Sequence, residues 1–390
     1  MMRWIERAAA VLGILGLTFT SGCGTFFIYP GSSVGSGGSA TGDYVYVANA
    51  AGLSLAGFSV GSGTLTTLSG SPYALGFSPS AVAVNPANTR VFVAGNDGVY
   101  GFINTYSIGT GGVLSLLTSN NTGAASEAAL DVSPDGAWLV GLDANGGLAN
   151  EALIESYQIN ASTGALTPGA TGIYTYTGSA IPTITPFCVK FAPNQNYLFA
   201  AVGQAGDLVF PFNSTTGVSS AGVLPMKFGS SSTVSDNALA VSSNGNDLYI
   251  ARSGPGGGLA VFAIGSGGSL TQVGSTVAAG SQPISVVVNK AGTNIYVANQ
   301  VDGTVSGYSI SSAGAVAALN PATFTTSGKP RALAIDNSGK YLLSASYTTT
   351  PDLSMYTYDS TLTGKLATSA STAATSGAEP AGAISIAATH

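Results

Sequence analysis

The sequence contains few side chains suited to acid–base chemistry, and their types limit the reactions open to it. There are 11 Lys and Arg, 17 Asp and Glu and one histidine among 390 residues. The histidine is the last residue, His390, and chain ends are usually poorly ordered. The sequence therefore argues against a Ser–His–Asp triad, a histidine general base and imidazole-ligated metals, and it predicts neither a metal nor a cofactor.

Six charged residues are candidates for a functional site: Glu127, Lys190, Asp236, Arg252, Lys329 and Arg331. Arg252 and Arg331 could bind a carboxylate or phosphate and stabilise an oxyanion, because guanidinium groups make paired hydrogen bonds to such groups. Glu127 or Asp236 could activate water as a general base, whereas the two lysines are candidates for ligand binding. All six could instead cap strands, pair with one another or line a wet channel, because structural ion pairs are common.

A segment that recurs about every 47 residues would bring these candidates together. It reads Tyr-Val-Tyr-Val-Ala-Asn at 44–49 and Asn-Ile-Tyr-Val-Ala-Asn at 294–299. Further copies lie at 90–95, 137–142, 197–202, 247–252 and 340–345. A repeat of this length built from strands predicts a β-propeller, in which four-stranded antiparallel blades surround a central channel.

The repeat around residue 294 shows the four strands of one blade. Residues 283–288 form an apolar run, 294–299 a second strand, 304–310 an alternating third strand and 315–319 a short outer strand. The dipeptide Asp302-Gly303, between the second and third strands, is typical of a β-hairpin.

Both chain ends contribute to one blade in this interpretation. The first copy, at 44–49, begins directly at a second strand, and residues 379–387 have the pattern of a first strand with nothing after it. Together they would complete a seventh blade and remove an exposed sheet edge. The prediction is an all-β, seven-bladed propeller over residues 43–390, closed by the carboxyl-terminal strand. First strands then open, and second strands end, on one face around the channel, where all the candidates except Lys190 would lie. Lys190 falls within an inner strand.

The longest spacing between repeats is 59 residues and indicates an insertion at 169–186. Long connections in compact domains are often functional. An elongated outer strand or hairpin would account for the insertion equally well.

Residues 1–23 have the features of a lipoprotein-type signal peptide. A basic start and an apolar stretch at 8–17 precede Ser21-Gly22-Cys23, which resembles a bacterial lipobox, although Thr20 stands where an aliphatic residue is usual. This predicts a lipid on Cys23, followed by a Gly/Ser-rich tether over 24–42; ordinary secretion and a retained anchor are the alternatives. Gly24 in place of Asp favours the outer membrane. With Cys23 acylated, Cys188 is expected to be a buried thiol outside any disulfide.

The strings Tyr-Val-Ala-Asn and Val-x-x-Tyr-x-Ile resemble the Tyr-Val-Thr-Asn repeats of bacterial surface propellers. They also resemble the seven-bladed lactonase family, which includes the propeller type of 6-phosphogluconolactonase. The resemblance covers residue 42 to the carboxyl end and implies lactone hydrolysis. Arg252 matches the arginine of that family's Asn-Arg-Gly-His motif, but the histidine is absent. The Pro-Arg opening expected of the next inner strand is Pro283-Ile284 here, and Pro330-Arg331 carries it one blade later.

Composition and motifs leave three functions to compare. The first is a lipid-anchored, extracytoplasmic binding module for an envelope glycan or protein, and the second is a lactonase acting on a sugar or aliphatic lactone. A divergent quinoprotein-like propeller is the third, although the sequence has only Trp4 and Trp138 and lacks the paired tryptophans expected there. A formal charge of −6 and no basic stripe argue against nucleic acid.

Overall fold

The computed structural model describes residues 42–123, 126–143, 147–177, 182–226, 233–360, 362–375 and 382–390. Its strands form the predicted seven blades, here numbered I to VII. Blade I contains β1 (Tyr44–Asn49), β2 (Ser54–Val60), β3 (Leu65–Thr67), β4 (Tyr73–Ala74) and, from the carboxyl end, β30 (Ala383–Ala388). Blade II contains β5 (Ser78–Val84), β6 (Arg90–Asn96), β7 (Gly101–Ile108) and β8 (Leu114–Gly123). Blade III contains β9 (Glu127–Val132), β10 (Trp138–Asp143), β11 (Glu151–Ile159) and β12 (Leu166–Thr175).

The remaining blades follow the same order along the chain. Blade IV contains β13 (Ile184–Phe191), β14 (Tyr197–Gly203), β15 (Asp207–Asn213), β16 (Gly217–Val218) and β17 (Leu224–Met226). Blade V contains β18 (Ser235–Val241), β19 (Asp247–Ser253), β20 (Gly258–Ile264) and β21 (Leu270–Gln272). Blade VI contains β22 (Pro283–Val288), β23 (Asn294–Asn299), β24 (Thr304–Ile310) and β25 (Val316–Thr325). Blade VII contains β26 (Pro330–Ile335), β27 (Tyr341–Ser346), β28 (Leu353–Tyr358) and β29 (Leu366–Ala373). Single 3₁₀ turns lie at Thr110–Gly112 and Ser266–Gly268.

The outer strand of blade VI is longer than the sequence predicted. Its first three strands have the expected bounds, but β25 runs to Thr325 rather than ending at residue 319. Pairing with β24 shifts register between Ser306 and Tyr308, and Pro321 lies in the resulting bulge. Proline lacks the N–H that a ladder needs, so it fits in the bulge, and the chain resumes pairing beyond it.

The two chain ends close the ring as predicted. Strand β30 pairs antiparallel with β1, from Val45 opposite Ala388 to Ala48 opposite Ser385. The terminal His390 is ordered, contrary to expectation, because its backbone N–H donates to Asn88 Oδ1 at 2.9 Å and its carbonyl accepts from Asn88 Nδ2 at 2.8 Å. Burial lowers the pKa of His390 to about 4. This imidazole lies beyond the end of β30, at the channel end opposite the openings of the first strands.

The aromatic residue of the repeated segment is a spacer between blades. Tyr46 and Tyr296, on the second strands of blades I and VI, are fully buried. Each hydroxyl donates to a turn carbonyl of the next blade, that of Gly112 or Gly364, at 2.7 Å. A buried phenol needs such a partner, so the recurring Tyr both fills the interface and fixes one blade against the next.

Of the predicted insertion at 169–186, residues 169–175 belong to the elongated outer strand β12 and residues 184–186 open β13. Strand β12 pairs with β11 as far as Thr175 opposite Glu151. Ala170 also pairs in parallel with Gly217, which joins blades III and IV at their outer edges. Residues 178–181 lie outside the described residues.

Residues 1–41 lie outside the described residues, and with them the predicted signal peptide, Cys23 and most of the tether. Cys188 on β13 is fully buried, as expected, and its Sγ lies 3.8 Å from the carbonyl oxygen of Leu239. Over the described ranges, the chain has no helix with the length and apolarity that a bilayer crossing requires.

Candidate functional site

A cavity of about 500 Å³ opens on the face where the first strands begin and the second strands end. Blades VI, VII, I and II line it, and we call it the mouth cavity. Its residues precede or open first strands or directly follow second strands, as the propeller register predicts. They are Ala50, Ser78, Pro79, Ser80, Asn96, Gln282, Gln300, Val301, Lys329, Arg331, Tyr347, Thr348 and Ile384.

Two of the predicted candidates, Arg331 and Lys329, supply the positive charge of the mouth cavity. Arg331, the second residue of β26, is only 5% exposed, and its guanidinium carbon lies 5.3 Å from the centre of the Tyr347 ring. Burial lowers the pKa of Arg331 to about 10, an effect that Tyr347 opposes, so the group stays charged at neutral pH. Lys329 is exposed at the rim. None of the described residues that line this cavity is acidic.

Neutral polar groups of the mouth cavity are held by the neighbouring blade. Ser80 Oγ donates to the carbonyl oxygen of Glu127 at 2.5 Å, and Asn96 Nδ2 donates to Ser126 Oγ at 3.1 Å. These bonds orient both side chains before any ligand arrives. On the blade VI side, Gln282 and Gln300 add two carboxamide groups, which can both donate and accept hydrogen bonds.

The other candidate arginine, Arg252, is engaged in a buried ion pair. Its Nε lies 2.5 Å from Asp236 Oδ1, and its Nη2 lies 2.9 Å from Asp236 Oδ2. The register explains the pair, since Asp236 of β18 lies directly opposite Arg252 of β19. Arg252 borders a second cavity of about 410 Å³, between blades V and VI, which shares Gln282 with the mouth cavity.

A further buried carboxyl, missed by the sequence analysis, lies beside this ion pair. Burial raises the pKa of Asp207 well above its usual range, with added contributions from the charge of Asp236 and a hydrogen bond to it. The direction of this shift favours the protonated carboxyl of Asp207. Asp207 opens a third strand, and third strands begin on the face where second strands end. That position was the available signal, but the candidates predicted from the sequence all lie on first and second strands or directly before them.

Glu127 belongs to a buried acidic cluster and does not line the mouth cavity. Its Oε1 lies 2.7 Å from the Tyr157 hydroxyl, which also contacts the Glu155 carboxyl, so the single O–H of Tyr157 is shared between two acids. Burial raises the pKa of Glu127 to about 7; the charges of Glu155 and Asp143 add to this, and the Tyr157 bond opposes it. Gly141 makes room for the side chain, since a Cβ there would lie 2.1 Å from Glu127 Cγ.

Lys190 lies towards the opposite end of the channel. It is buried near the end of β13 and pairs with Asp131, its Nζ 3.3 Å from Oδ1. Asp131 Oδ2 also accepts from the backbone N–H of Phe191, so the pair ties the inner strands of blades III and IV together. Among the described residues, no group of three or more His, Cys, Asp or Glu side chains could hold a metal ion.

A family profile described as "Lactonase, 7-bladed beta-propeller" matches residues 38–201 and 218–322. The chain belongs to the seven-bladed β-propeller lactonase family. This confirms the resemblance found in the Tyr-Val-Ala-Asn repeats.

Solved structures of this lactonase type share the fold at low identity. A Bacteroides fragilis protein, provisionally described as a 6-phosphogluconolactonase, is 18% identical, with a TM-score of 0.70 over 91% of this chain and 100% of that one. The periplasmic gluconolactonase of Pseudomonas aeruginosa is 17% identical, with a TM-score of 0.70 over 89% of this chain and 99% of that one. A Bacteroides uniformis protein, also provisionally described as a 6-phosphogluconolactonase, is 18% identical. Its TM-score is 0.69 over 84% of this chain and 94% of that one. No curated protein matches the chain.

Proposed function

We propose that this propeller binds a small ligand carrying a carboxylate, or the lactone of such an acid, in the mouth cavity. Arg331 is the main binding residue, and Lys329 adds charge at the rim. The observation that carries the proposal is a buried, charged guanidinium beside the Tyr347 ring in the wall of this cavity. The fold has already removed Arg331 from water, so an incoming carboxylate gains a charge-assisted hydrogen bond worth about 1.5–3 kcal/mol.

Lactone hydrolysis is the second candidate, and the family match favours it. Arg331 could then stabilise the oxyanion formed at the lactone carbonyl. Hydrolysis also needs a base near the attacked carbon. Of the candidates, Asp236 has both oxygens engaged by Arg252, and Glu127 is buried behind Ser80. The described cavity therefore supports binding better than hydrolysis.

Titration calorimetry of the purified full-length chain with gluconate and glucono-δ-lactone tests the proposal. Arg331→Gln should weaken binding at least tenfold, as expected for loss of a charge-assisted hydrogen bond. Arg90→Gln is the matched control, because that arginine opens β6 at the other end of the blades and contacts the carbonyls of Thr89, Ala161 and Ser162. Binding that survives Arg331→Gln would contradict the proposal. Lactone turnover in the same samples, abolished by Glu127→Gln, would support hydrolysis.

We further propose that the protein acts outside the cytoplasm and is held to the envelope by a lipid on Cys23. One structural neighbour is a periplasmic protein. Asp43, the second described residue, accepts hydrogen bonds from the backbone N–H groups of Asn337 and Ser338 in the turn after β26, at the end opposite the mouth cavity. A tether leaving there would point the mouth away from the membrane. Mass spectrometry of the Cys23 peptide distinguishes a diacylglyceryl thioether from a disulfide to Cys188, which would contradict lipidation.

An envelope glycan or protein as the partner stays a prediction. The test is retention of the full-length chain on a glycan or protein array. Retention that is lost in Arg331→Gln would indicate that the mouth cavity also binds part of a larger ligand.

A further inference from the structure

The mouth cavity has an apolar wall as well as its cations. Val301 and Tyr347 follow the second strands of blades VI and VII, and Ile384, Pro79 and Ala50 complete the wall. Val301 is 54% exposed and Tyr347 is 42% exposed. Large apolar side chains left this open beside a binding cavity gain free energy when a ligand covers them.

The wall and the arginine occupy adjoining positions. The Tyr347 ring lies against the Arg331 guanidinium, and Val301 belongs to the neighbouring blade. A carboxylate held by Arg331 would therefore direct the rest of its molecule along Tyr347 and Val301.

A hydroxyl-rich ligand body fits this arrangement poorly. Ser80 and Asn96 already donate to groups of blade III. The two glutamines of blade VI, with Ser78, Thr348 and Lys329, can receive a few hydroxyls or a lactone carbonyl. The apolar side chains of the wall offer no partner to a hydroxyl that lies against them. Hydroxyls buried without partners lose binding free energy.

We infer that the ligand is an aliphatic hydroxy acid or its lactone rather than a sugar acid, with its carboxylate at Arg331 and its hydrocarbon chain on Val301 and Tyr347. This rests on the proposed function, because it requires that Arg331 binds the carboxylate.

The test compares ligands of equal charge on the purified full-length chain. Calorimetry should show 4-hydroxyoctanoate binding about tenfold more tightly than gluconate, the effect of burying roughly two methylene groups. Val301→Ser should weaken 4-hydroxyoctanoate about threefold and leave gluconate unchanged, since it removes part of one apolar contact. Val99→Ser is the matched control, because Val99 is 71% exposed after the second strand of blade II and does not line the cavity.

The outcomes separate this inference from the proposed function. If gluconate binds as tightly as 4-hydroxyoctanoate, or Val301→Ser weakens the binding of both acids equally, the aliphatic assignment is wrong. The proposed function still holds in that case if Arg331→Gln weakens the binding of both acids. If neither acid binds, both fail.

Discussion

Glu127 should make the stability of this propeller fall as pH rises, and the magnitude follows from its surroundings. Burial raises its pKa from 4.5 to about 7. Between pH 4.5 and about 7 the folded protein holds a proton on Glu127 that the unfolded chain has lost. The stabilisation that comes from keeping Glu127 neutral is therefore fully present below pH 4.5. It is lost as pH rises through about 7. The pKa difference corresponds to about 3 kcal/mol of unfolding free energy.

The substitution Glu127→Gln tests this with little change of shape, because the amide oxygen can still accept from Tyr157. The variant should unfold like the wild type at pH 4.5 and be more stable at pH 8, by up to about 3 kcal/mol. Urea unfolding followed by tryptophan fluorescence at both pH values measures the difference, with Trp138 as the buried reporter. Glu151→Gln, a change at a partly exposed acid of the same blade, is the control. If Glu127→Gln and the wild type lose the same unfolding free energy between the two pH values, the reasoning is refuted.

Three further predictions concern how the ring is held together. Deleting residues 379–390 should abolish the cooperative thermal transition, because β30 supplies the inner strand of blade I; a truncated chain that melts like the intact protein would contradict closure. Tyr296→Phe should lower the unfolding free energy by about 1 kcal/mol, since its hydroxyl donates to Gly364 O, and calorimetric melting measures it. Burial, and then the neighbouring Asp336, raise the pKa of Asp43 to about 7. Asp43→Asn should therefore raise the unfolding free energy at pH 8 and leave it unchanged at pH 4. Urea midpoints equal to those of the wild type at both pH values would count against this prediction.

The fold could be predicted from the sequence wherever a local pattern repeats. The Tyr-Val-Ala-Asn copies, the turns between them and the incomplete repeats at the two ends fix the blade number and the closure. What failed depended on contacts that the local repeat pattern does not contain. The order of His390 comes from Asn88, 302 positions earlier, and no property of the last residue indicates it. The extension of β25 beyond Pro321 depends on a bulge, which permits a residue that lacks an N–H.

The candidate site shows how far strand register alone can separate a charge held in a cross-strand ion pair from a charge at a cavity wall. Blade V has Asp236 at the start of its first strand and Arg252 directly opposite at the end of its second, so the two charges neutralise each other. In blade VII the arginine is on the first strand, and the second strand ends in Ser346 followed by Tyr347. Arg331 therefore lies against an aromatic ring at the cavity wall. Reading each candidate together with its cross-strand neighbour would have distinguished these arginines from the sequence. Asp207 could not be found in this way, because its partner belongs to the next blade and only the packing of blade IV against blade V brings their carboxyls together.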